Sequence, residues 1–152
     1  MNITIKKVTS INEFIDAIRL RVDVFIIEQK CPPGWEPDEL DKNSQHFIAV
    51  VEDSIVATAR LREDPKGVAK IERLVVKKEY RKKGIGEKLI LTMVQHSKKQ
   101  GNKKVWIQAQ VQAKPFFEKL GFKTVSKEYD LWNLGILHVD MEYIFPKKAQ
   151  SS

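Results

Sequence analysis

Residues 81–86 read Arg-Lys-Lys-Gly-Ile-Gly, and an apolar pattern at helical spacing follows directly. A helix N-terminus leaves about four N–H groups without intrahelical partners and carries roughly half a positive charge. Gly84 and Gly86 remove Cβ atoms where they would block an approaching anion, and Lys77, Lys78, Arg81, Lys82 and Lys83 crowd cations around the same turn. The chemistry this suits is holding a phosphate or diphosphate. The turn is not a P-loop, because G-x-x-x-x-G-K-[ST] is absent, and not the dinucleotide fingerprint, because no third glycine follows at the required spacing. A glycine-containing helix start with solvated lysines is the plain alternative.

Other residues could move protons or hold a substrate. Glu72 lies in the strand-like run 68–76, where alternation groups it with Lys70, Leu74 and Val76. It could deprotonate an amine, or pair with Arg60, Arg62 or Arg73. His138 falls on the polar face of the run 136–145 with Asp140 and Glu142, where it could bind or deprotonate an acceptor or be structurally bonded. His46 shares a face with Ile48 and Val50, as a satisfied core histidine does. His96 sits near a helix C-terminus, where a cation suits the dipole. His46 and His138 with Glu72 could suggest a metal, but no pair among them has i, i+2 or i, i+4 spacing, so no metal site is expected. Cys31 has no neighbouring histidine and reads as a loop thiol.

The segment 36–41, Glu-Pro-Asp-Glu-Leu-Asp, places four acids in six residues of a chain whose formal charge is +7. With Glu28 upstream, Asp38 and Glu39 could face a cationic acceptor, and Trp35 could cap its apolar part. A solvated loop of Asp and Pro turns is the alternative.

The elements must position these groups. A length of 152 residues suits one domain, and a 42% hydrophobic share supports a core. A single cysteine excludes a disulfide framework within the chain. Neither an apolar leader nor a run of 18 apolar residues is present, which leads us to expect a cytoplasmic protein with no membrane partner. Excess positive charge permits a polyanionic partner, but no helix-turn-helix or RNA-binding aromatic pattern supports nucleic acid. Strand patterns cover 3–8, 45–51, 55–62, 68–76, 103–111, 122–129 and 136–145. Helix patterns cover 11–28, with a capping box at Ser10 and Glu13, then 84–100, and a short one from Pro115 to Gly121. The order β-α-β-β-β-α-β-α-β-β predicts a mixed sheet with helices on its faces, an α/β or α+β fold. One domain over 1–146 and a frayed tail over 147–152 are expected.

The ordered set of motifs resembles the GNAT superfamily, the acyl-CoA-dependent N-acyltransferases. Residues 81–86 resemble its R/Q-x-x-G-x-G/A pyrophosphate loop, and IERLVV (71–76) sits where the family has its central fourth strand. AKPFFEKLGF (113–122) looks like the A-x-x-F-Y-x-x-x-G-F segment. RVDVFIIEQ (21–29), QHF (45–47) and GILHVDM (135–141) look like a bacterial branch of largely unassigned members.

The resemblance implies a mostly antiparallel sheet of about seven strands, splayed between 68–76 and 103–111, with helices on both faces. It implies acetyl-CoA as acyl donor, no metal, a small amine acceptor, and leaves a homodimer open. Carried over, Leu74, Val75 and Val76 would line the pantetheine arm. Arg81, Lys82, Lys83, Gly84, Ile85 and Gly86 would hold the pyrophosphate, and Gln108, Ala109 and Phe117 would border the cofactor. The segment between the first helix and the second strand would wall the acceptor site, with Glu28, Trp35, Asp38, Glu39 and His46 as candidates.

The implied reaction is direct attack of a neutral amine on the thioester. An alkyl ammonium with pKa near ~10.4 is about 1 part in 10³ neutral at pH 7, so a base is useful. Glu72 matches the family's glutamate in that strand, and His138 is the second candidate. A backbone N–H near Val75 would bind the oxyanion. The family's tyrosine acid is replaced by Phe117. A thiol with pKa near ~8.5 can leave as thiolate at pH 7 for about 2 kcal/mol, or Tyr129, Tyr143 or His138 could protonate it. A CoA-binding protein of the same fold without turnover, and a nucleic-acid module, are the alternative functions.

Overall fold

The computed structural model describes residues 1–146, so the expected frayed tail lies outside the described residues. The chain divides into two compact units, one of Met1–Arg62 with Ile71–Gln95 and one of Glu63–Lys70 with the chain from His96 onward. Hydrogen-bonded strands follow the order Thr4–Lys7, Gln45–Val51, Ser54–Glu63, Ala69–Val76, Lys104–Gln110, Leu137–Ile144 and Lys123–Thr124, with Tyr129–Asp130 on Leu137–Ile144. That makes an open eight-stranded sheet of mixed, mostly antiparallel character, one strand more than the sequence pattern predicts.

The first unit opens with β1 (Thr4–Lys7) and α1 (Ile11–Arg21). Ser10 caps α1 by accepting the Glu13 N–H at 3.1 Å, while the Glu13 carboxylate takes the Thr9 N–H at 2.9 Å. The predicted helix to residue 28 does not stay α-helical. Val22–Glu28 winds as a wider π-type turn, and the Gln29 N–H bonds the Val24 carbonyl five residues back at 2.9 Å. The segment predicted as loop contains two short 3₁₀ turns, Pro33–Trp35 and Glu39–Asn43. Asp38 caps the second by accepting the Leu40 N–H, and Asp41 accepts the Asp38 N–H in return.

β2 (Gln45–Val51) and β3 (Ser54–Glu63) form the expected antiparallel hairpin, with β1 on its edge. β4 (Ala69–Val76) follows, then the 81–86 turn and α2 (Ile85–Lys99). Leu20, Val24 and Val75 make a buried cluster with Phe25 and Ile55 against it.

In the second unit, β5 (Lys104–Gln110) pairs parallel with the start of β4, Ala69 to Val105 and Lys70 to Trp106. β5 pairs antiparallel with β8 (Leu137–Ile144), and buried partners stand opposite one another: Ile107 with Met141, Ala109 with Val139. Between them lie α3 (Lys114–Lys119), β6 (Lys123–Thr124) and β7 (Tyr129–Asp130). The single strand predicted over 122–129 is thus broken in two. After Val125 donates to the Asp140 carbonyl, the Ser126 hydroxyl takes the Asp140 N–H at 2.8 Å, a bond that ladder backbone would otherwise make.

Gly121 ends α3 with φ +107, and a Cβ there would stand 2.9 Å from Tyr143 Cε2. Both backbone conformation and space exclude a side chain. Gly121→Ala is expected to lower stability by about 1–3 kcal/mol, measured as a lower urea midpoint at unchanged m-value. A midpoint equal to that of the native chain would contradict this packing.

Candidate functional site

The turn ahead of α2 has the geometry an anion cradle needs. Lys82 and Gly84 both have positive φ, +62° and +79°. Left-handed residues within a short turn bring successive N–H groups toward a common side. The first α2 hydrogen bond runs from Lys88 N–H to the Gly84 carbonyl at 3.1 Å, so the opening N–H groups of the helix point back over the turn. A Cβ on Gly84 would meet nothing within 4 Å, so conformation and not crowding is what demands glycine there. Ile85 is buried and anchors the helix start.

Arg81 braces the turn. Its Nε donates to the Val76 carbonyl at 2.9 Å, and Nη2 pairs with Glu28 at 2.8 Å. The sequence reading assigned Arg81 to phosphate and Glu28 to the acceptor. In the structure the two engage one another and tie the end of the π turn to the end of β4. Lys83 lies over the Tyr80 ring at 5.8 Å.

β4 corrects the face assignment made from alternation. Arg73 has φ +60, so the strand is kinked at its centre. A regular strand sends neighbouring side chains to opposite faces. Here Glu72 and Arg73 reach the same charged cluster: Glu72 bonds Arg60, Arg73 bonds Asp38, and Arg60 bonds Asp38. Past the kink it is Val75 that joins Leu20 and Val24 of the helix side. Glu72 therefore does not share a face with Leu74 and Val76.

The cluster itself occupies the first unit. Asp41 receives Arg21 on both oxygens at 2.7 and 3.0 Å, Arg60 at 2.9 Å and the Asp38 N–H at 2.8 Å. Arg60, 0% exposed, also bonds Asp38 at 2.6 Å and Glu72 at 2.8 Å. Arg21, 1% exposed, also pairs with Glu36, and Arg62 pairs with Glu72. Arg73 Nε lies 2.7 Å from Glu36 Oε1, an ion pair even though its N–H is not aimed at that oxygen. Burial opposes ionisation of Asp41, but the Arg21, Asp38 and Arg60 hydrogen bonds outweigh it and hold the carboxyl at about 2. The same contest, won by Arg60, lowers Asp38. Burial pushes Glu36 up despite Arg21 and Arg73. Burial also opposes charge on Arg60, whose carboxylate partners nevertheless hold it above its ordinary value.

This removes the charge argument for a cationic acceptor. Glu36, Asp38 and Asp41 are neutralised from within by arginines, and Glu39 alone of the four is exposed. His46 is buried, with Nε2 donating to the Asp41 carbonyl at 3.0 Å and Phe14 edge-on at 5.0 Å; burial lowers its pKa. It is a structural histidine that fastens the 3₁₀ turn to β2. Trp35 is half-buried at the end of the other 3₁₀ turn. Cys31 is pushed up by burial and by Glu36, the opposite of a nucleophile's environment.

The second unit holds the remaining candidates. His138 is 2% exposed, its Nδ1 bonded to the Ile136 carbonyl at 3.0 Å and its ring edge-on to Trp132 at 4.6 Å. Gln108 donates to the Tyr129 hydroxyl, which donates to Asp140. Burial and that carboxylate push Tyr129 up to about 12, against the Gln108 bond. Its proton is held by Asp140 and is not poised for a leaving group. Phe117 is 8% exposed and meets Phe116 and Phe122 edge-to-face, a core position of this unit. Among the described residues no group of three or more His, Cys, Asp or Glu could hold a metal ion, and no helix is long and apolar enough to cross a membrane.

A sequence profile described as the acetyltransferase (GNAT) domain matches residues 16–145. The chain belongs to the GNAT acetyltransferase family. A Bacillus subtilis protein named as a candidate acetyltransferase is 38% identical over 140 residues, covering 90% of this chain and 93% of its own. The solved structure of Escherichia coli ElaA superposes with a TM-score of 0.80 at 24% identity, covering 93% and 99% of the two chains. The Thermoplasma acidophilum PaiA N-acetyltransferase, solved in complex with coenzyme A, superposes with a TM-score of 0.73 at 20% identity, covering 95% and 100%.

Within this GNAT chain, the expected alternative that Glu72 pairs with Arg60 or Arg62 holds for both; what the sequence did not show is that Arg21 and Arg60 are buried, with the half-buried Arg73 beside them. A signal existed for Arg21, which falls three residues after Ile18 and four before Phe25, on the apolar stripe. A cation on a buried stripe needs a counter-charge, and the acid-rich segment supplies it.

Asp41 is ionised in the fold at a lower pH than in the unfolded chain, where its pKa is near ~3.9. Its contribution is therefore complete above about pH 4 and is lost as pH falls through about 2. Asp41→Asn is expected to lose about 3–5 kcal/mol at pH 7, because Arg21 and Arg60 keep their charge without it. Its urea midpoint should also fall less steeply than that of the native chain between pH 4 and pH 2.5. A loss under about 1 kcal/mol with an unchanged acid slope would show that these contacts carry no net stability.

Proposed function

We propose that the chain is an N-acetyltransferase that moves an acetyl group from acetyl-CoA to a primary amine of a small acceptor by direct attack. The observation that carries this reading is the 81–86 turn: left-handed at Lys82 and Gly84, braced by Arg81, and opening α2. The diphosphate of CoA would take the N–H groups of that turn, and Leu74 to Val76 would run beside the pantetheine arm. The relative solved with coenzyme A supports the choice of donor. A backbone N–H near Val75 would receive the oxyanion. Thiolate departs without a tyrosine acid at position 117, at the modest penalty already given.

Glu72 serves as the base through water. Arg60 and Arg62 each bond one of its oxygens and so fix the orientation of the carboxylate. His138, packed against Trp132 and bonded through Nδ1 to the Ile136 carbonyl at the start of β8, is the weaker candidate. The engagement of both groups also favours a second reading, a CoA-binding protein that does not turn over.

Thiol release from acetyl-CoA with pooled primary amines separates the two. The first reading expects turnover. Tight CoA binding with no release across the panel supports the second. Gly84→Val, which forces a β-branched residue into φ +79, is expected to weaken CoA binding at least tenfold by calorimetry. Unchanged affinity would remove the turn from the site. Glu72→Gln is expected to lower kcat/KM about 10²-fold at pH 7 and to recover as pH rises toward the amine's own pKa. A loss that is the same at every pH would deny Glu72 the role of base.

A further inference from the structure

Arg73 stands in the middle of β4 with φ +60, a backbone conformation that a long side chain does not adopt at ease. Such a residue persists where its surroundings over-determine it. Its surroundings here are two carboxylates from outside the strand. The guanidinium lies 2.7 Å from Glu36 Oε1 and donates to Asp38 Oδ2 at 3.1 Å. Neither carboxylate is loose. Glu36 is paired with the buried Arg21, and Asp38 accepts Arg60 at 2.6 Å and the Leu40 N–H at 3.0 Å. The acidic segment therefore grips β4 at its one left-handed residue, from a scaffold fastened to α1 and β3.

We propose that Arg73 is a positioning residue for acyl transfer. Its ion pairs with Glu36 and Asp38 hold residues 72–75 in the kinked form. That form turns Glu72 and Val75 to the same side and sets the direction of the Leu74 and Val75 N–H groups. The proposal rests on the transferase reading, in which this stretch of backbone meets the thioester. It also gives the acid-rich segment a function other than acceptor binding: it is the external clamp of the strand that does the chemistry.

Two substitutions separate clamp from charge. Arg73→Gly and Arg73→Leu both delete the guanidinium, but glycine enters the left-handed region freely and leucine does not. With thiol-release kinetics, the glycine variant is expected to keep kcat within about threefold of native. The leucine variant is expected to lose about tenfold or more in kcat, as a small misplacement of reacting groups does. The dissociation constant for acetyl-CoA should move less than about threefold in both, a split between kcat and binding that general loosening would not produce. Equal losses in the two variants would mean that Arg73 acts through its charge, and native rates in both would mean that the strand ladder alone holds the kink. Either result overturns the proposal. Should the leucine variant not fold, Arg73→Asn and Arg73→Ala pose the same question, since asparagine tolerates the left-handed region and alanine does not.

If the native chain releases no thiol with any amine, the transferase reading falls and the clamp is judged on its own readout. Amide hydrogen exchange at Leu74 and Val75 should be native-like in the glycine variant and at least about tenfold faster in the leucine variant. Equal exchange in both would overturn it.

Discussion

An arginine can be taken out of water only together with its counter-charge. Arg21 and Arg60 are both withdrawn almost completely from solvent in this chain, and nearly everything distinctive about the first unit follows. Apart from Glu72 of β4, the counter-charges come from the short segment between the π turn and β2, so that segment cannot be a free loop. It folds as two 3₁₀ turns, the second capped by Asp38 and Asp41, two of the carboxylates that receive the arginines. Asp41 serves both purposes, capping its own turn and bridging Arg21 of α1 to Arg60 of β3. His46 then fastens the same turn to β2 through a backbone carbonyl. The ionic cluster is a joint among helix, loop and three strands.

The joint has a consequence for β4. A strand that alternates regularly offers the cluster one side chain in two. The left-handed residue at Arg73 lets Glu72 and Arg73 both take part, and the alternation downstream is reversed in sense, so that Val75 and not Leu74 packs beneath α1. On the reading proposed above the thioester would lie along the backbone at that place. Charge pairing in the interior and the backbone shape of β4 are two aspects of one arrangement.

Much of this was legible in the sequence, and the limits of legibility are physical. The order of elements could be read because β5 alternates cleanly, with Val105, Ile107 and Ala109 buried at every second position, and because β2 and β3 are apolar runs buried along most of their length. The turn and helix start at 81–86 were legible because two glycines stand just ahead of an apolar pattern at helical spacing. The kink at Arg73 was not legible, since no glycine or asparagine marks it and only partners distant in sequence make it tolerable. The C-terminal end of α1 was hidden because a π turn keeps an apolar pattern close to that of an α-helix. The acid-rich segment misled, because composition counts charges without showing which are already paired. The same is true of Glu28 and Arg81, which a sequence assigns to two different ligands and the fold assigns to each other. Phe117 marked a departure from the family's tyrosine, and its place in an aromatic cluster shows what the ring does in its own unit without a hydroxyl.

The central claim is that backbone N–H groups of the turn before α2 receive a diphosphate. Amide chemical-shift mapping during a titration with CoA tests it most directly. The account predicts that the largest changes fall on Lys82 to Gly86, saturate together, and are reproduced by a nucleoside diphosphate that lacks the pantetheine arm. Shifts that leave those amides still while others move, or no saturable change anywhere, would contradict it.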